Sequence, residues 1–250
     1  MSADERYNMF RLSCKNVDIT KFKRDHHLRG IVENVSKAFG LKYLKNIQKY
    51  DKNLNWERIK ELNDIGNPEN EISIANNIEI SPTTLRYVQF ALDMLYHAKK
   101  MGMKSLRIVE VGGGYGFQSV LLYEFSKLFE ISIDNYQILD LLEVNHLQRS
   151  FLKKADYSKV KCLTINEYSF ANDNFFISNY ALGEFDREWQ NIYISKVVSK
   201  ISHGFCCWNF SPSNPKIHEY FKNFLDRGIS IKEENPQTNC PPIKSYIISW

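Results

Sequence analysis

Leu106 to Ser119 reads Leu-Arg-Ile-Val-Glu-Val-Gly-Gly-Gly-Tyr-Gly-Phe-Gln-Ser. A short apolar run carrying one acid, Glu110, meets a glycine cluster, and a helical pattern follows. This predicts a strand, a tight turn and a helix opening onto a ligand. Glycines let backbone approach a ligand closely. A helix N-terminus behind them favours negative charge. A dinucleotide fingerprint requires a third glycine or alanine where Phe117 stands. A phosphate loop requires Gly-Lys-Ser or Gly-Lys-Thr, and the chain has no Gly-Lys pair. What remains is acidic-x-Gly-x-Gly-x-Gly: Glu110, Gly112, Gly114 and Gly116. The turn attracts a carboxylate and Glu110 suits an ammonium, so the ligand class is an amino acid or a cofactor derived from one. The bland alternative is a glycine turn without a ligand.

This motif resembles the first motif of the class I S-adenosylmethionine-dependent methyltransferases. A second apolar run, Tyr136 to Leu139, ends at Asp140, 24 residues beyond Gly116. That spacing is close to the one expected for an acid gripping a ribose diol at the next strand's end. A carboxylate there accepts two hydroxyl hydrogen bonds, and charge-assisted bonds are strong. Capping of the helical pattern Leu142 to Lys154 is the competing role for Asp140, with Glu143 the lesser substitute at the ribose.

The chain of 250 residues fits one large α/β domain, alone or with a helical annex. Its net charge of +4 comes from scattered residues, which argues against a nucleic-acid binder. The block Lys21, Lys23, Arg24 reads as a solvated helix face, or as a surface meeting an acidic substrate. Cys14, Cys162, Cys206, Cys207 and Cys240 form no Cys-x-x-Cys pair and are odd in number, which suits a reducing compartment. Cys206 and Cys207 lie in an apolar run and read as strand core. No run of 18 apolar residues predicts a membrane span, and Met1 to Thr20 lacks an apolar signal core. The cytoplasm is the expected location.

Residues 1–80 show helical patterns without obvious strands and are read as an annex or lid. Residues 81–250 are read as the cofactor-binding domain. In the annex, Ile31, Val35, Phe39, Tyr43 and Ile47 form a four-residue stripe along a helix. Asp64 to Pro68 is a turn signal. Ser81-Pro82 opens a helix to about Lys100, with Leu85, Val88, Leu92 and Leu95 on its apolar face. Strands are predicted at 107–111, 136–140, 160–164, 175–178, 204–210, 229–232 and 244–249. Helices are predicted near 117–129, 143–154, 186–201 and 215–227. Alternation of strands and helices implies a parallel sheet. The polar, proline-rich link from Glu233 to Pro242 makes the last two strands an antiparallel pair. The fold class is therefore α/β, and seven strands, mostly parallel with an antiparallel last strand, plus an N-terminal helical annex, resemble the Rossmann-like sheet of the class I methyltransferases.

Several segments together resemble a family of sugar O-methyltransferases over roughly residues 60 to 250. They are Gly66-Asn67-Pro68, Ser81 to Tyr87, Val109 to Gly116, Ile138 to Val144 and Ser178-Asn179-Tyr180-Ala181-Leu182-Gly183-Glu184. Gly183 stands where that family often carries serine. The resemblance implies S-adenosylmethionine as cofactor, with S-adenosylhomocysteine as product. It implies cofactor contacts through Glu110, Gly112, Gly113, Gly114, Tyr115, Gly116 and Gln118, through Asp140 and Leu141, and through Ser178. It also implies a sugar or nucleotide-sugar substrate, such as a heptose, for capsule or another bacterial surface polysaccharide.

Ligands of open α/β sheets sit beyond the carboxyl ends of the strands. A sugar hydroxyl benefits from a general base, and Glu184, past the fourth strand, is the first candidate. Its alternative is a carboxylate at the N-terminus of the next helix. Tyr180 and Asn179 line the methyl site or meet the cofactor's amino-acid end; strand-end packing is the alternative. Asn209 closes the fifth strand and orients substrate. Asn166, beyond the third strand, sits near adenine or serves a turn. Arg86 and Tyr87, with Asn67, are candidates for a substrate-binding lid, Arg86 pairing with a phosphate or forming an annex-to-core salt bridge. His26 and His27 are candidates to cover the substrate; His97 packs on its helix, His146 and His218 lie on the surface, and His203 is at the wrong end of the sheet. No spacing calls for a metal. Competing functions are a non-catalytic cofactor-binding or scaffold subunit, methylation of another small metabolite at nitrogen or oxygen, and, more remotely, nucleotide-dependent oxidoreduction. A homodimer through the annex is a further expectation.

Overall fold

The structure is a computed structural model and describes residues 3–74, 77–210, 228–238 and 244–250. The expected helix 215–227, with His218, and Cys240 lie outside the described residues. The annex contains α1 (Ala3–Lys15), α2 (His26–Val32), α3 (Lys37–Ile47) and α4 (Trp56–Asp64). A small antiparallel hairpin, β1 (Ile72–Ser73) and β2 (Glu79–Ile80), follows. Two-residue strands are too short to show a period of two, so the sequence reading missed them.

The stripe from Ile31 to Ile47 is carried by two helices, not one. Ser36 interrupts it, its hydroxyl capping Phe39 N at 3.5 Å to open α3. Tyr43 and Ile47 are buried while Ile31 is exposed. Asp25 caps α2 by accepting from the amides of His27 and Leu28.

α5 (Pro82–Lys100) begins as expected, with Ser81 Oγ accepting from Thr83 N. Leu85, Val88, Leu92 and Leu95 are all fully buried. Phe90, Ala91 and Met94 are buried too, because α3 packs on one side of α5 and α6 on the other. α5 thus joins annex to sheet.

The sheet comprises β3 (Ser105–Val111), β4 (Ser132–Leu139), β5 (Lys161–Leu163), β6 (Phe175–Asn179), β7 (His203–Phe210), β8 (Ser230–Glu233) and β9 (Lys244–Ser249). Between them run α6 (Phe117–Ser126), α7 (Leu142–Lys154) and α8 (Arg187–Lys196). The strand order is β5-β4-β3-β6-β7-β9-β8. β3 pairs in parallel with β4 and β6, β4 with β5, and β6 with β7. β9 lies antiparallel between β7 and β8. This seven-stranded sheet, mostly parallel with an inserted antiparallel last strand, is the Rossmann-like arrangement expected. β4 starts four residues earlier than expected, since its first half, Ser132 to Asn135, is polar and partly exposed.

Two apolar clusters cover the faces. One unites annex residues such as Phe22, Tyr43 and Ile59 with α5, α6 and α7. The other, with Val109, Phe176, Ile194, Trp208 and Trp250, lies under α8. Cys206 and Cys207 are core, as expected. The chain reverses its direction of travel across the sheet between β3 and β6, which leaves a crevice beyond their carboxyl ends.

Candidate functional site

The glycine turn stands at that crevice. Gly112 has a φ of +73° and donates its N–H to Leu139 O at 3.0 Å. A Cβ there would lie 2.0 Å from Ala181 Cβ, so only glycine lets the turn close on the segment after β6. At Gly114, the nearest neighbour to such a Cβ would be the Tyr87 hydroxyl, at 3.2 Å. The turn therefore runs between Ala181 and Tyr87 before α6 begins.

Glu110 is sealed beneath the turn. It is 1 % exposed, and Tyr136 Oη donates to its Oε2 at 2.9 Å. Burial pushes its carboxyl up to about 7, against the opposing effect of that hydrogen bond. Asp140 stands at the end of β4. Its Oδ1 accepts from Leu141 N at 2.9 Å and its Oδ2 from Gln148 Nε2 at 2.9 Å. Burial raises it to about 7 as well, and both bonds oppose the rise. Asp140 does not cap α7: the cap position is Leu141, with no side-chain bond to the helix. Gln148 also donates to Gly114 O at 3.0 Å, and so ties the acid to the turn. It sits two turns along α7 from Asp140, a spacing that a search for charged residues passes over.

Several expected cofactor contacts are committed elsewhere. Tyr115 is fully buried against Phe22, Phe117 and Phe151, with centroid distances of 5.2, 5.6 and 4.9 Å. Its side chain joins annex to core and packs edge-on against the Tyr87 ring, with centroids 5.7 Å apart. Gln118 is buried and donates to Tyr87 O at 3.4 Å, while accepting from Asn179 Nδ2 at 3.5 Å. Ser178 Oγ donates to Val111 O at 3.1 Å and accepts from Leu182 N at 3.0 Å, stapling the turn after β6 to β3. Asn179 Oδ1, in contrast, is buried and has no hydrogen-bond partner among the described residues. Leu141 and Asn166 are exposed, and the N–H of Asp140 bonds Leu163 O on β5 at 3.0 Å.

On the far side of the turn the structure gathers Tyr180, Arg86 and Tyr87. Tyr180 holds a φ of +65°, sparsely populated for a non-glycine residue. Its N–H bonds Cys207 O at 2.8 Å, its ring stacks on Phe90 with centroids 6.0 Å apart, and its hydroxyl donates to Glu234. Glu234 Oε1 also accepts from Tyr43 Oη at 2.9 Å, and Oε2 from Thr238 Oγ1 at 3.3 Å. Glu234 is 2 % exposed. Neither Glu234 nor Tyr43 was legible as a site residue, because nothing local links positions 43, 180 and 234. The Arg86 guanidinium lies 5.8 Å from the Tyr87 ring and 5.2 Å from the Tyr180 ring. No carboxylate of the described residues lies within ion-pair distance of it, so among them the expected annex-to-core salt bridge is not formed.

Glu184 is exposed, in a short helix Leu182–Glu184 just after β6. Asn209 Nδ2 donates to its Oε1 at 3.0 Å, and Ser245 Oγ donates to Asn209 Oδ1 at 2.9 Å. The next helix is capped instead by Asp186, which accepts from Trp189 N. Gly183 lies against Trp208, where a Cβ would come within 3.2 Å of the indole. Asn67 is not brought to the site: it is exposed at φ +55°, and its carbonyl accepts from Arg24 Nε at 2.7 Å.

The expected solvated block is corrected at Lys23, which is 1 % exposed. Its Nζ donates to Asn63 O at 2.8 Å, stands 3.6 Å from Glu33 and lies 4.8 Å from the Tyr115 ring centroid. Burial lowers its pKa. A groove of about 920 Å³ runs along α5, α3 and β8–β9. It contains Phe90 and Glu234 but no residue of the glycine turn, so it is not the cofactor crevice.

No protein-family model matches the chain, and no curated protein matches it. Solved structures do resemble it in fold. A human methyltransferase 10 domain containing protein is 14% identical, with TM-score 0.47, over 78% of this chain and 96% of that one. The methyltransferase domain of bacterial CtHen1-C is 12% identical, with TM-score 0.44, over 65% and 97%. A precorrin-6y C5,15-methyltransferase from Geobacter metallireducens is 12% identical, with TM-score 0.43, over 72% and 93%. No described helix is long and apolar enough to cross a membrane.

Proposed function

We propose that the chain is an S-adenosylmethionine-dependent O-methyltransferase acting on a sugar hydroxyl, carried by a nucleotide-activated sugar such as a heptose for a bacterial surface polysaccharide. The observation that carries the cofactor part is the glycine turn at the β3/β6 crevice, with Asp140 on one side and the unpartnered Asn179 Oδ1 on the other. An acid at the end of the second parallel strand suits a ribose diol. A buried orphan acceptor suits an ammonium, and the backbone that glycine leaves bare suits close contact. Asp140, Asn179 and the turn would hold the cofactor, with Glu110 setting the charge below. Bound there, the cofactor would supply an activated methyl group.

The protein's own work is then to align a hydroxyl and to receive its proton, and positioning alone supplies several kcal/mol in such reactions. In this reading Glu184 is the proton acceptor. Asn209 fixes its Oε1, and Ser245 in turn fixes Asn209. Tyr180 and Tyr87 line the path between turn and acceptor. Residues 1–80 act as a lid on the catalytic domain 81–250, and the enzyme works in the cytoplasm. The sugar itself rests on the resemblance of the Ser81–Tyr87 and Ser178–Glu184 segments to sugar O-methyltransferases.

The test is transfer of radiolabelled methyl from S-adenosylmethionine to a panel of nucleotide sugars, with bulk RNA as comparison. Label in a sugar, lost in Asp140→Ala, is expected. Label in RNA alone would replace the acceptor, and absence of label from every acceptor would leave the sugar reading without support.

A further inference from the structure

We propose that Arg86 is an oxyanion receptor in the wall of the glycine turn, taking a carboxylate or phosphate of the bound ligand. The identity of that ligand rests on the proposed function; the receptor itself does not.

Arg86 is only 8 % exposed, yet no carboxylate of the described residues lies within ion-pair distance of it, and its hydrogen-bonding neighbour is the Tyr87 hydroxyl. Buried charges are ordinarily paired and hydrogen-bonded, since removing them from water is costly. The faces of Tyr87 and Tyr180 answer part of the charge. Glu234 attracts it from beyond ion-pair distance. Its oxygens are taken up by the hydroxyls of Tyr43, Tyr180 and Thr238, which leaves the guanidinium without a carboxylate hydrogen-bonded to it.

The location points to the ligand. Tyr87, the next residue, brings its hydroxyl to 3.2 Å from where a Gly114 Cβ would lie. Tyr180 precedes Ala181, which meets Gly112. The guanidinium is therefore flanked by two residues whose neighbourhoods both border the turn. Its planar fork matches a carboxylate or phosphate through two parallel hydrogen bonds. Two sources offer that chemistry: the amino-acid end of the cofactor, or an acidic group on the acceptor.

The experiment titrates wild type, Arg86→Gln and Arg86→Lys with S-adenosylhomocysteine and with 5′-methylthioadenosine, which lacks the amino-acid end. Thermal shift with inorganic phosphate is run on the same proteins. If the cofactor is the source, Arg86→Gln weakens S-adenosylhomocysteine by about 10- to 100-fold and leaves methylthioadenosine unchanged. Arg86→Lys falls between, and serves if the glutamine variant does not fold. If the acceptor is the source, both nucleosides bind unchanged, while phosphate stabilises wild type and not Arg86→Gln. Equal loss of both nucleosides, or no change in any of the three titrations, overturns the receptor. A wild type that binds neither nucleoside defeats the methyltransferase reading, and the phosphate arm still decides Arg86.

Discussion

On one side of the crevice, Glu110, the glycine turn and Asp140 come from a single strand-turn-helix-strand passage. On the other, Tyr43 and Glu234 meet across 191 residues, and Tyr180 joins them from a third element. The first side is shaped by local backbone chemistry. The second exists only after α3, α5, β6 and the end of β8 have docked. A fault on the first side should therefore act on binding through sterics, and a fault on the second through stability.

The largest effect is expected at Gly112. A branched side chain there would meet Ala181 in a left-handed backbone. Gly112→Val should cost about 2–4 kcal/mol in denaturant unfolding and reduce S-adenosylhomocysteine affinity by roughly 100-fold or more. Near-normal binding would mean that the turn is not the cofactor site.

The two acids near the acceptor side sharpen the contrast. Glu234→Ala removes the acceptor of two phenols and should destabilise the fold by about 2–4 kcal/mol. Glu184→Ala, at an exposed position, should cost under about 1 kcal/mol. Equal losses in thermal and denaturant unfolding would erase the distinction.

The pH dependence has a defined sign. Glu110 and Asp140 are both raised to about 7, above their unfolded values. The fold thus holds their protons more tightly than the unfolded chain does. Their contribution to stability is full below the unfolded values near 4 and is lost as pH rises toward about 7. Ribose recognition needs Asp140 as a carboxylate, so S-adenosylhomocysteine affinity should run the other way. It should rise through about pH 7, by at most about tenfold per pH unit for one proton, and level off above. Asp140→Asn should bind weakly, and the rise should flatten. A variant that keeps the full rise would shift the effect to Glu110.

The smallest effect belongs to Asn67. Asn67→Ala should cost about 1 kcal/mol, because alanine tolerates φ +55° poorly, and Asn67→Gly should be nearly neutral. Neither should alter ligand binding. A change in affinity would return Asn67 to the site.

The same contrast explains what could be read in the sequence. β9 and the strand-turn-helix at Leu106–Ser119 were legible because apolar runs and glycines act within a few residues. The start of β4 was hidden by its polar first half. Lys23 was misread as solvated because its partners, Asn63, Glu33 and Tyr115, lie 40, 10 and 92 residues away. Tyr115, Gln118 and Ser178 carry the right chemistry for ligand contact, but the fold spends them on packing and on hydrogen bonds of its own. Glu234 lies in a polar link whose sequence gives no sign that one carboxylate is buried. Arg86 could be singled out, but that no carboxylate of the described residues forms an ion pair with it is visible only in the folded chain.

The central claim is that the glycine turn and Asp140 bind an adenosyl amino acid. It is tested most directly by calorimetric titration of the folded, wild-type protein with S-adenosylhomocysteine, beside NAD and ATP. The account predicts saturable one-to-one binding of S-adenosylhomocysteine and none of comparable strength for the other two. Binding of NAD or ATP in its place, or of none of the three, would contradict it and leave the α/β fold without this cofactor.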